Sequence, residues 1–116
     1  MAILVSAILF LSCTVILMPG AAAAHGPSKV VLAYDKAAKT LNVPITHTVS
    51  DAKSHYIKTV DVTVNGKTVQ SMTYTSQPAP DTFTYTYPVD AVPGAEISAR
   101  AECNYFGSDT DSITVP

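Results

Sequence analysis

An all-β fold, a seven-stranded antiparallel immunoglobulin-like β-sandwich, is what this 116-residue sequence predicts, on three observations. Beyond residue 24 apolar and polar residues alternate, with Thr, Val and Tyr prominent. No stretch there sustains a helical period, and turn signals recur at the short spacing of strands that reverse at each connection.

The first strand is expected over residues 29–34 and the second over 40–49, where Leu41, Val43, Ile45 and His47 share one parity. Pro44 lies inside that second strand and predicts an edge position or a bulge, because proline has no N–H to give to a ladder. Strands three and four, 56–64 and 67–75, flank Asn65-Gly66. These two residue types tolerate the positive φ that a type I′ turn needs at both central positions, so this is a hairpin. The fifth strand, 82–88, follows a Pro-containing loop over 76–81 and puts Phe83, Tyr85 and Tyr87 on one face. That face is either core or a dimerisation surface for a homo-oligomer. A second Pro-containing loop, 90–95, leads to the sixth strand, 96–104, in which Ile97, Ala99, Ala101 and Cys103 share a parity. The seventh is expected over 111–115.

Residues 1–24 stand apart. Residues 2–18 are an almost unbroken apolar run, closed by Pro19-Gly20 and followed by four alanines. This is the pattern of a signal peptide with an Ala-x-Ala cleavage site, and it predicts a periplasmic or otherwise extracytoplasmic domain beginning at His25. An uncleaved N-terminal membrane anchor is the alternative reading of the same run. Cys13 lies within it. Residues 25–116 suffice for one domain with one core, and they carry all seven basic and all nine acidic residues. A net charge of −2 without a basic cluster gives no electrostatic footprint for nucleic acid. One cysteine, Cys103, remains after the signal, so it is a buried apolar filler, a metal ligand or a thiol that pairs between molecules.

Strand phase and direction together locate the candidate chemistry. His47 and Cys103 each end an apolar stripe, and in an antiparallel sandwich both strand ends, the start of the third strand with His55, and the chain start with His25 fall at the same end. Imidazole and thiolate donors together suit iron, zinc or copper.

The run Thr46-His47, a short loop into Ser54-His55-Tyr56-Ile57, the Asn65-Gly66-Lys67 turn, and then Ala101-Glu102-Cys103-Asn104-Tyr105-Phe106-Gly107 resembles the iron domain of superoxide reductases (desulfoferrodoxin and neelaredoxin). The resemblance covers about residues 25–115. It implies a sandwich holding one mononuclear, non-haem iron, with equatorial histidines, an axial cysteine thiolate and an open position for superoxide. On that basis His47 and His55 are equatorial ligands, Cys103 is the axial ligand, and His25 is a further nitrogen. The family's Glu-Lys pair before the first histidine is missing here, and Lys53, in the loop between the two ligands, is the residue whose charge would substitute for it. The chain departs from the family pattern in several places. Phe106 stands where a histidine is usual, Thr48 where a proline is usual, and the loop from His47 to His55 is longer. With three histidines in the whole chain, a four-histidine plane cannot form, and the ring of Phe106 is expected to wall the fourth corner.

Two functions of different class follow. One is an exported iron protein that reduces superoxide to peroxide, or binds a related small ligand, with an unidentified electron donor. The other is a metal-free immunoglobulin-like accessory or binding module of the cell envelope. Zinc or copper carriage through an N-terminal histidine is a third reading.

Overall fold

The computed structural model describes residues 25–116, so the expected signal segment, with Cys13, lies outside the described residues. Eight strands are present: β1 (Lys29–Val30), β2 (Ala33–Asp35), β3 (Thr40–Thr46), β4 (Ile57–Val64), β5 (Lys67–Thr73), β6 (Thr82–Pro88), β7 (Glu96–Cys103) and β8 (Ser108–Thr114). They form two antiparallel sheets of an immunoglobulin-like sandwich. In the first, β3 pairs with β6 on one side and with β1 and β2 on the other; the second has the order β5-β4-β7-β8.

The count is eight rather than seven because the expected first strand is divided, and Pro44 supplies the reason. It sits in the inner strand β3, opposite Thr84 of β6, not at an edge. Its carbonyl accepts from Val31 N at 3.1 Å, but it has no N–H to return, so the pairing of the edge breaks between β1 and β2. Leu32 N turns instead to the Asp111 carboxylate. The last strand begins at Ser108 rather than at residue 111, because Gly107, at a φ of 96°, reverses the chain directly after the Cys103 loop. Asn65 and Gly66 both have positive φ, as the hairpin between β4 and β5 requires.

Alternation fills the space between the sheets. Leu41, Val43 and Ile45 from β3, Val60 and Val62 from β4, and Ile97, Ala99 and Ala101 from β7 are fully buried. Each of the larger side chains stabilises the fold by about 1.5–3 kcal/mol. Phe83 and Tyr87 are buried and Tyr85 is half-buried and stacked on Tyr74 at 4.2 Å, so the aromatic face of β6 belongs to the core. Burial and the Tyr74 hydroxyl hold the Tyr87 phenol well above its ordinary range, and burial with the neighbouring Tyr74 pushes Tyr85 up to about 12.

Register along β4 slips between Ile57 and Thr59, where Lys58 is the extra residue of a bulge against β7. Without it, Ile57 would share the outward phase of Thr59 and Asp61. The bulge resets the parity so that Ile57, and His55 two residues before it, turn inward.

The two open sides of the sandwich are laced by side chains. On one, Tyr74 Oη and Tyr87 Oη pair at 2.7 Å and Gln70 Nε2 donates to Pro88 O. On the other, the Asp109 and Asp111 carboxylates of β8 accept from Val30 N and Leu32 N, each at 3.0 Å. These two carboxylates replace a missing strand neighbour for the N-terminal segment. Asp109→Ala and Asp111→Ala should each lower unfolding stability by about 1–3 kcal/mol, because a backbone N–H loses a charged acceptor, whereas the Asn variants, which keep an acceptor oxygen, should lose less. Urea unfolding of the four variants checks this.

Candidate metal centre

Three elements deliver three donors to one end of the sandwich. The inward parity of β3 runs past its last residue into His47, that of β7 ends on Cys103, and the β4 bulge aims His55 inward. His55 is presented by a tight turn in which its N–H and that of Ser54 bond to Asp51 O at 2.9 and 3.2 Å, while the Asp51 carboxylate accepts from Lys53 N. Asn104 ties this turn to the Cys103 loop: its Oδ1 accepts from Tyr56 N and its Nδ2 donates to Ser54 O.

The three groups are buried, His47 at 0%, His55 at 7% and Cys103 at 2% exposure. One ligand atom from each lies within 4.8 Å of the other two. His55 Nε2 stands 3.1 Å from Cys103 Sγ. Two ligands at right angles on one ion, with a nitrogen bond of about 2.1 Å and a sulfur bond of about 2.3 Å, would also be about 3.1 Å apart. The donor set is soft and mixed, and it fits iron or zinc.

His47 adds a second indication. Its Nδ1 is 2.8 Å from Gln77 Oε1 and its Nε2 is 3.1 Å from the carbonyl oxygen of His25. Both neighbours are acceptors. A neutral ring with its proton on Nδ1 would set the Nε2 lone pair against that carbonyl oxygen, an arrangement that a metal ion between the two atoms would satisfy.

His25 reaches the same place in a different manner from that expected. Its ring centroid is 5.3 Å from those of His47 and His55, but its Nδ1 bonds to Gly26 O, and the ring is outside the group of three close donors. What faces His47 is its main-chain carbonyl. The segment is seated by contact between two glycines: a Cβ on Gly107 would lie 2.5 Å from Gly26 N, and one on Gly26 2.7 Å from the Gly107 carbonyl carbon. Gly107 O in turn accepts from Cys103 N.

Phe106 does not wall the site; it is 61% exposed, and the ring against His55 is that of Tyr105, at 4.9 Å. The chain turns out of β7 after Cys103, so the residue three positions on faces solvent. Lys53 is exposed, two residues ahead of His55. Gln77, buried in the Pro-containing loop, was not legible as part of the site, because a loop has no phase from which to read direction.

No family model matches the chain, and no curated protein does. Solved structures similar to it include the superoxide reductase (neelaredoxin) from Ignicoccus hospitalis, at 16% identity and a TM-score of 0.48 over 79% of this chain and 81% of that one. A variant of the same protein is similar at 18% identity and a TM-score of 0.48, over 82% and 83%. The fibronectin(III)-like modules of Clostridium thermocellum CbhA are 27% identical, with a TM-score of 0.41, over 75% and 93%.

Two outcomes are expected of the metal-free protein. Burial first, and then the proximity of His47, lower the pKa of His55 below its ordinary 6.5, outweighing the His25 carbonyl. The unfolded chain therefore takes up the His55 proton more readily than the folded one. This part of the stability is fully present above about pH 6.5 and is lost as the pH falls. Thermal unfolding between about pH 7.5 and 5 should show the decline, and His55→Gln should flatten it. Gly107→Ala should destabilise by about 1–2 kcal/mol for the left-handed backbone alone. It should also unseat the His25 segment, read as altered ring-proton shifts of His47 by NMR.

Proposed function

We propose that residues 25–116 form a mononuclear metal domain whose ion is iron, held by His47, His55 and Cys103, and that it reduces superoxide to hydrogen peroxide. The observation that carries the metal reading is the convergence of two imidazoles and one thiol, all buried, within 4.8 Å. Supporting the choice of iron and of superoxide is the likeness of the His47, His55 and Cys103 motifs to those of superoxide reductases.

Bound there, ferrous iron would supply one electron per turnover, which with two protons converts superoxide to hydrogen peroxide, and an external one-electron donor would restore it. The chain's own residues provide the rest. The Cys103 thiolate, buried beside His55, would donate electron density and favour departure of a peroxide product. His47 and His55 would contribute neutral nitrogens, and the lowered pKa of His55 keeps that ring unprotonated at neutral pH. Lys53, exposed beside His55, would draw a small anion toward a chain that is net negative. His25 would add its main-chain carbonyl as a further donor. The proposal places this chemistry outside the cytoplasm, after removal of residues 1–24.

Refolding with ferrous iron under reducing conditions tests the reading. The oxidised protein should hold one iron per chain and show a visible thiolate-to-iron band. Cys103→Ser should abolish the band and leave the sandwich folded, with a loss of about 1–3 kcal/mol. Pulsed superoxide should yield hydrogen peroxide without oxygen release. Wild-type protein that retains no metal would leave the accessory-module reading in its place.

A further inference from the structure

We infer that Gln77 is the positioning residue of this metal site: it fixes the tautomer and aim of His47, so that Nε2, and not Nδ1, is the ligating atom. The inference deepens the metal reading of His47, His55 and Cys103 and rests on it.

Gln77 is 5% exposed, and every hydrogen-bonding position of its side chain is used. Nε2 donates to His47 O at 2.9 Å and to Ala79 O at 2.8 Å. Both partners only accept, so the amide can sit in one orientation alone. Its Oε1 therefore faces Ile57 N at 3.2 Å and His47 Nδ1 at 2.8 Å. Rotating the amide by half a turn would oppose donor to donor at Ile57 and acceptor to acceptor at both carbonyls. An oxygen without hydrogen can make the Nδ1 contact only if Nδ1 carries the proton. The lone pair of a neutral His47 is thereby confined to Nε2, the atom that faces the carbonyl of His25.

The same side chain sets the distance between the ligands. It grips His47 by ring and carbonyl, and it grips β4 at Ile57, two residues past His55. Its own N–H bonds to Ala52 O, within the turn that presents His55. Asn, one methylene shorter, could not span these partners. Met would fill the volume with neither acceptor nor donor. Glu would keep the acceptor for Nδ1–H and Ile57 N while losing the two donors. Outer acceptors of this kind orient a ligating imidazole and raise its basicity, and their removal weakens metal affinity by about 10- to 100-fold.

The test combines nitrogen-15 NMR of His47 in the metal-free protein with cobalt(II) titration of wild type, Gln77→Met and Gln77→Glu, followed through thiolate and ligand-field absorption. Expected are a protonated Nδ1 in wild type and in Gln77→Glu, and its loss in Gln77→Met. Cobalt(II) affinity should fall about 10- to 100-fold in Gln77→Met and stay within a few-fold of wild type in Gln77→Glu, even where the latter has the lower Tm. Equal weakening in both variants would mean that affinity follows stability rather than the tautomer, and would overturn the inference. So would a wild-type His47 with its bare nitrogen at Nδ1, a result that leaves the metal reading standing and is decisive even if Gln77→Met does not fold. Wild-type protein that takes up no cobalt(II) overturns the metal reading itself, and the positioning role with it.

Discussion

Burial of polar donors at the end of an apolar sandwich is the constraint on which the rest of this structure depends. His47, His55 and Cys103 stand buried where the core stripes of β3 and β7 and the bulged start of β4 run out. A polar atom placed there without a partner would cost several kcal/mol, so the surrounding loops are shaped to supply partners. Among the described residues, no buried side-chain nitrogen or oxygen lacks one. Gln77 meets most of the demand on the His47 side, Asn104 joins the His55 turn to the Cys103 loop, and the carbonyl of His25 closes the third side.

That third side depends on features far from the centre in sequence. The segment from His25 to Leu32 has only partial strand pairing, because Pro44 cannot complete the ladder on its side. It is held instead by two carboxylates of β8 and by backbone contact between Gly26 and Gly107. The arrangement couples the start of the domain to the loop that carries Cys103. Any ion bound to Nε2 of His47 would feel the placement of that segment through the His25 carbonyl, 3.1 Å away.

The electrostatics of the site follow from the same burial. Desolvation and the nearby His47 lower the pKa of His55 and so favour its neutral ring, whose Nε2 stands 3.1 Å from Cys103 Sγ. The Cys103 thiol is buried and flanked by the His55 imidazole, which meets the Tyr105 ring edge-on, so it is not an exposed cysteine.

By itself the sequence determined the sandwich and the inward facing of His47 and Cys103, because strand parity is a local property with a period of two and a buried face makes it binding. Asn65-Gly66 fixed its hairpin for an equally local reason, the positive φ that those residue types tolerate. Parity failed where the chain breaks phase. His55 faces inward only because Lys58 is bulged, and the first strand is split only because Pro44 lies in its neighbour. Phe106 turned outward where a wall was expected, since a turn carries no parity at all. Gln77 and the Gly26–Gly107 contact were decided by tertiary structure alone. Most of their partners, His47 and Ile57 among them, are twenty or more residues away, and hydrogen-bond satisfaction and close backbone approach are properties of the folded assembly, with no periodic trace in the chain.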